Sequence, residues 1–200
     1  MSGRIITINR LYGSNGRRLG KALSERLGIR FYDSELLKLA SERKGIPYEE
    51  LVKVDEKRAS MWRYPVEDEY QMSPQYRSEP INDVLFDAQE EIIRELAETE
   101  DCIIVGRCAD YILKDIKNCT SVYLYADREF RKNRVKEIYG SNAEIMDKEE
   151  KNRADYYNYY TGNRWGDINN YDFAINTSKV SFEEAADLIY RFAKDKQKNL

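Results

Sequence analysis

Nine residues constrain this chain more than any others: Tyr12-Gly13-Ser14-Asn15-Gly16-Arg17-Arg18-Leu19-Gly20. They join a β-branched run, Arg4-Ile5-Ile6-Thr7-Ile8, to a helical pattern with Leu19, Leu23 and Leu27 on one face, stopped by Gly28. A glycine turn between strand and helix lets the backbone come close to a ligand. It also turns the helix's unpaired N–H groups and positive dipole end toward an anion such as phosphate. The strict pattern G-x-x-x-x-G-K-[ST] is absent: Arg17 stands near the lysine position and no Ser or Thr follows it. A G-x-G-x-x-G fingerprint is absent as well. Taken alone, the turn is also compatible with a tight strand-to-helix connection that binds nothing.

The rest of the chain extends the same alternation. Ile29-Arg30-Phe31-Tyr32 reads as a second strand, and Asp33 is placed to cap a helix opening Ser34-Glu35-Leu36-Leu37. Residues 44–80 differ in character and hold all four prolines, so a helix over about 47–60 and then an irregular loop are expected. Val84, Leu85, Ala88, Ile92 and Leu96 form a helical stripe. Cys102-Ile103-Ile104-Val105-Gly106 is a continuous apolar run, which predicts a central buried strand. A strand over Thr120 to Ala126 leads to a helix carrying Arg128, Arg131 and Arg134, then to a polar helix over about 143–160 and the loop Thr161 to Gly166. Phe173 to Asn176 reads as the last strand, and Phe182, Ala185, Ile189 and Phe192 give the closing helix its buried face. Five strands alternating with helices predict a doubly wound α/β sheet, with ligands beyond the carboxyl ends of its strands.

Composition narrows the chemistry. The chain has 200 residues, enough for one domain or one domain with a large insertion. It contains no histidine, which excludes Ser-His-Asp and Cys-His catalysis. Cys102, Cys108 and Cys119 lack C-x-x-C spacing, so neither a zinc site nor a disulfide framework is expected. A net charge of −3 argues against a general grip on nucleic acid. No apolar run reaches the ~18 residues needed to span a bilayer. The N-terminus enters a strand-like segment directly, so no signal peptide and a reduced, cytoplasmic protein are expected.

Two charged clusters remain. Val105-Gly106-Arg107-Cys108-Ala109-Asp110 follows the buried strand, where Arg107 could grip a phosphate bidentately or simply pair with Asp110. Arg131 and Arg134 share a helix face, and Arg153 and Arg164 flank Tyr156-Tyr157-Asn158-Tyr159-Tyr160. Such arginines could clamp phosphates or merely be solvated, but four tyrosines in five positions are more than one helical face can bury. The cysteines read as inert small apolar groups.

These stretches together resemble the cytidylate kinase-like family, a branch of the P-loop nucleoside monophosphate kinases. The likeness runs from Ile5 to Arg17, through Gly28-Ile29-Arg30-Phe31-Tyr32-Asp33 and Cys102 to Asp110, to Arg153 to Gly162, Trp165-Gly166-Asp167 and Tyr171-Asp172. It implies a single domain over 1–200 with a three-layer P-loop kinase fold: a five-stranded parallel sheet flanked by helices, an acceptor-binding insertion at about 44–80 and a lid at about 128–170. Gly13, Ser14, Asn15, Gly16 and Arg17 would hold ATP phosphates. Asp33, Arg107 and Asp110 would face the acceptor, and Arg17, Arg131, Arg134 and Arg153 would be the catalytic arginines. Ser14, or a carboxylate such as Asp33, would hold Mg²⁺. The implied reaction is ATP-dependent phosphorylation of a nucleoside monophosphate, CMP or dCMP favoured. The alternatives are an inactive nucleotide-binding regulator and a kinase for a small non-nucleotide alcohol. Nucleotides are the expected partners, with no nucleic acid and no membrane. The chain departs from the family pattern in having Asn9, Asn15 and Leu11 where serine, glycine and glutamate are usual.

Overall fold

Alternation along the first strand sets the layering. β1 (Ile5–Arg10) is buried at every position. Ile6 and Ile8 face a core shared with Leu19 and Leu23 of α1 (Gly16–Leu27) and with Ala185 and Ile189 of α8 (Phe182–Lys198). Ile5 faces a second core, with Leu36 and Ala40 of α2 (Glu35–Lys44), Leu51 of α3 (Tyr48–Val54) and Val84, Ala88 and Ile92 of α4 (Ile81–Thr99). Both faces of one sheet are therefore covered by helices, which gives three layers. The computed structural model describes residues 4–59, 80–140 and 143–198.

The sheet is parallel throughout, in the order β2 (Arg30–Tyr32), β3 (Cys102–Val105), β1, β4 (Cys119–Tyr125), β5 (Phe173–Asn176). The apolar run of β3 was expected to be the central strand. It is interior and fully buried, but β1 holds the middle place. The glycine turn therefore leaves the sheet at its centre, with β2 and β3 to one side and β4 and β5 to the other. That is where a doubly wound sheet opens a crevice at its carboxyl edge.

Several local expectations change. α1 stops at Gly28, whose φ of 66° suits glycine, as its sequence pattern predicts. Asp33 does not cap α2: Ser34 holds that position without a side-chain cap bond, and the Asp33 carboxylate goes instead to arginines described below. The helix expected over 47–60 is α3 alone, because Asp55 is extended and Glu56 takes a φ of 51°. The irregular loop expected after it falls largely on residues 60–79, outside the described residues. A short helix, α5 (Ala109–Ile112), follows β3 and was not foreseen.

The C-terminal segments combine exposed polar faces with core packing. α6 (Arg128–Tyr139) and α7 (Ala143–Thr161) follow β4 in sequence. The tyrosine run of α7 divides: Tyr156 and Tyr157 are buried, while Tyr159 is 51% exposed. Tyr160 stacks on Phe86 of α4 at 4.2 Å between ring centroids and donates to Asp83 at 2.6 Å. The C-terminal half of α7 is thus anchored on the α4 side of the core. No helix among the described residues is long and apolar enough to cross a membrane.

Candidate functional site

At the carboxyl edge of the sheet, a cleft of about 370 Å³ lies between the glycine turn, α6 and the ends of β3 and α3. Gly13, Asn15, Gly16 and Arg17 line it on one side, Asp33 and Arg107 on another, and Arg134 and Arg153 on a third. Asn15 adopts φ 69°, the left-handed conformation that asparagine tolerates. The turn therefore keeps its shape without glycine there. Gly16 opens α1 and is packed on Arg10: a Cβ at Gly16 would lie 2.8 Å from Arg10 Cβ and Cγ. The first-turn N–H groups of α1 have no partner within the helix and offer themselves to an anion.

The electrostatics come from a knot of ion pairs under the cleft. Arg107 donates to Asp33 and, through Nε and Nη2, to Asp55 at 3.3 and 2.7 Å; it also donates to the Val105 carbonyl at 3.0 Å. Burial works against its charge, but Asp55, Glu56 and Asp33 outweigh burial and hold Arg107 well above the ordinary arginine value. The local Arg107–Asp110 pair is therefore not formed. Arg10 donates to both oxygens of Glu56, at 2.7 and 3.1 Å, and Arg153 Nε donates to the same carboxylate at 3.1 Å. Burial opposes ionisation of Glu56; Arg10, Arg153 and Arg107 override it and keep its carboxyl well below the usual carboxylate range. Arg17, largely exposed, pairs with Asp33 at 3.0 Å.

Six arginines (10, 17, 18, 107, 134 and 153) and three carboxylates (Asp33, Asp55, Glu56) line the cleft. This is a local excess of positive charge in a chain of net charge −3. Arg134 adds a buried Nε that has no hydrogen-bond partner among the described residues, which an oxygen of a bound anion would satisfy.

Three expected site residues do not face the cleft. Ser14 is fully buried and donates its hydroxyl to the Leu11 carbonyl at 2.8 Å, so it is poorly placed to ligate a metal. Among the described residues no cluster of three or more metal-binding side chains occurs. Arg131 is buried and spent on Glu150, the Ala126 carbonyl and the Tyr12 carbonyl. It braces the glycine turn from behind. Asp110 is 5% exposed beneath the cleft floor, where it accepts from Tyr157 at 2.7 Å and Asn9 at 3.5 Å. Asn9 is the hub of this polar cluster. It also donates to Tyr171 at 2.9 Å and accepts from Arg10 N–H and Trp165 Nε1–H, tying the 162–171 segment to the end of β1.

Burial pushes the Asp110 carboxyl up from 3.8 to about 6, against the hydrogen bonds from Tyr157 and Asn9. A carboxyl whose pKa is higher folded than unfolded favours folding while it is protonated. Its contribution is complete below pH 3.8 and lost as pH rises through about 6. Asp110→Asn should therefore gain stability relative to the parent between pH 4 and pH 7, by about 2–3 kcal/mol for a shift of this size. Urea melts of both proteins at the two pH values check this. A gap between the two proteins that does not change with pH would show that Asp110 ionises freely.

Arg10, Asp55 and Glu56 were not anticipated. Arg10 had one available signal, its position at the last residue of the strand feeding the glycine turn. For Asp55 and Glu56 there was only their place in the segment that the resemblance assigned to the acceptor.

The cytidylate kinase-like family matches residues 5–179. The chain belongs to that family. Among solved structures, this family member superposes on an uncharacterized protein from Eubacterium ventriosum at 28% identity and TM-score 0.72, covering 96% of this chain and 98% of that one. A shikimate kinase from Bacteroides thetaiotaomicron aligns at 16% identity and TM-score 0.55, over 96% and 98% of the two chains. A gluconokinase from Sinorhizobium meliloti aligns at 14% and 0.54, over 99% and 97%. The two kinases speak to the fold alone, which is the P-loop kinase fold. No protein of curated function matches the sequence.

Proposed function

We propose that the protein transfers the terminal phosphoryl group of ATP to a nucleoside monophosphate, with CMP or dCMP favoured. The observation that carries this reading is the arginine excess around a helix N-terminus at the sheet's switch point. Phosphoryl transfer needs little covalent help; it needs positioning, neutralised charge and exclusion of water. The turn from Gly13 to Gly16 and the α1 N–H groups receive the donor phosphates, with Arg17 and Arg134 beside them. Arg153, between the turn and the acceptor end, faces the charge that moves. Asp33 and Asp55, held by the fork of Arg107, offer oxygens to amino or hydroxyl groups of the acceptor. A site of this type holds Mg²⁺ mostly through phosphates and water. Asp33, at the edge of the turn, would offer it a carboxylate oxygen in exchange for the contact with Arg17. The ion would supply charge neutralisation on the phosphates.

An ADP-release assay with ATP, Mg²⁺ and a panel of monophosphates tests the reaction. Stimulation by CMP or dCMP supports the proposal. Stimulation only by small hydroxylated acids would move the acceptor to another class, and ATP binding without turnover would leave a regulator. The turn itself is tested by Gly16→Val, whose side chain would drive Arg10 aside as well as crowd the phosphates. ATP affinity measured by calorimetry should fall at least ~10-fold, about 1.4 kcal/mol. Unaltered affinity would remove the turn from the donor site.

A further inference from the structure

Arg107 was the expected grip for the acceptor's phosphate, yet its guanidinium is already committed. Asp33, Asp55 and the Val105 carbonyl take its donors, and the side chain is 4% exposed. A phosphate can bind there only after two carboxylates leave. Arg10 and Arg153 are in a different situation. They share one carboxylate, that of Glu56, with the Arg107 charge close by. Two guanidiniums converging on two oxygens is the arrangement that binds a phosphoryl group, and a carboxylate is its smaller, singly charged substitute.

We infer that Arg10 and Arg153 form a seat for a tetrahedral phosphoryl dianion, which the Glu56 carboxylate fills in this structure and vacates when ligand binds. This deepens the phosphotransferase reading and rests on it for the identity of the ligand, though not for the existence of the seat.

Four observations support it. Glu56 lies two residues beyond the end of α3, and its φ of 51° is a conformation that non-glycine residues adopt at a cost. Release of its carboxylate would allow that backbone to relax. Gly106, at φ 76°, has no side chain where one would collide with both Arg10 Nη1 and Glu56 Oε1, so the pair occupies space kept open at the end of β3. Among the described residues Arg153 has, besides Glu56, only a contact with Tyr12, whose ring centre lies 5.2 Å from its guanidinium. Burial, and then the adjacent Arg10 charge, pull its pKa below the ordinary arginine value. A dianion would balance this pair of cations better than one carboxylate does. Finally, the seat adjoins the phosphate turn, since Arg10 packs its stem on Gly16.

Glu56 is then an internal competitor, and the affinity of the seat is reduced by the fraction of molecules in which Glu56 fills it. The probe is inorganic phosphate, titrated by calorimetry into the full chain. Glu56→Gln should bind phosphate at least ~10-fold more tightly than the parent, and adding Arg10→Ala to that variant should abolish the gain. Equal or weaker phosphate binding by a Glu56→Gln protein that melts like the parent would overturn the seat. If Glu56→Gln does not fold, Glu56→Asp serves: it keeps the charge but is one methylene too short to reach both arginines. An intermediate gain is then expected, and no gain overturns the proposal.

Competition identifies the source of the phosphoryl group. Displacement of phosphate by CMP alone assigns the seat to the acceptor, and displacement by a non-hydrolysable ATP analogue alone assigns it to the group in transfer. Displacement by neither would place the bound phosphate elsewhere and contradict the inference. Turnover is not needed for this readout. A protein that gains phosphate affinity in Glu56→Gln but never releases ADP keeps the seat and loses the kinase reading. ADP release without the gain does the reverse.

Discussion

Replacing Arg153 with alanine is expected to lower kcat by ~10³-fold, with a much smaller change in KM. Arg153 stands on α7 yet reaches across to Glu56, 97 positions earlier in the chain, and lies over Tyr12 beside the glycine turn. In the proposed reaction a guanidinium there would neutralise charge that grows during transfer, so its loss would fall on the transition state more than on the bound ground state. The fold should tolerate the change, because Arg10 still pairs with both oxygens of Glu56. Steady-state kinetics with ATP and acceptor decide it. Unaltered kcat in a folded Arg153→Ala protein would return this residue to a structural ion pair.

Arg107→Lys should be nearly as damaging, for a different reason. The substitution keeps the charge and discards the planar fork. Arg107 holds Asp33 with one nitrogen and Asp55 with two, and an ammonium cannot reproduce both contacts at once. Asp33 keeps Arg17, but half-buried Asp55 loses its arginine, which should cost about 1–3 kcal/mol of stability. The two carboxylates also lose their fixed separation in the cleft wall. Displacing a binding group by about 1 Å can cost ~10²-fold, and kcat/KM should fall by that order. Thermal melts and kinetics on one preparation separate the two effects. A lysine variant with parental melting and parental turnover would mean that the fork organises nothing.

The layered architecture was legible because hydrophobic period and turn chemistry are local signals. Ile5 to Ile8, the helical spacing of Leu19 and Leu23, and the stop at Gly28 each specify their element within a few residues. Strand order was less accessible: β3 is a continuous apolar run and β1 a β-branched one, both fully buried, and which of them lies in the middle depends on crossovers many residues long. At the site, residues flanking glycine turns could be seen from spacing alone, whereas the Arg10–Glu56 contact joins residues 46 positions apart. Nothing near Glu56 announces that contact in the sequence. Arg131 and Arg134 show the limit from the other side. Their shared helix face is real, yet the first is spent behind the turn while the second lines the cleft. Residues three apart on a helix stand about 60° apart around the axis and about 4.5 Å along it, enough to separate two roles. Asp110 was placed at the correct strand end, and only the packing of Tyr157 over it shows that it lies beneath the floor.

Transfer of label from ATP carrying a radioactive terminal phosphate tests the account most directly. Incubated with the protein, Mg²⁺ and CMP, the label should appear in CDP, and Arg153→Ala should slow its appearance by ~10³-fold. Label that stays in ATP, or emerges only as inorganic phosphate whatever acceptor is present, would contradict phosphoryl transfer in this cleft.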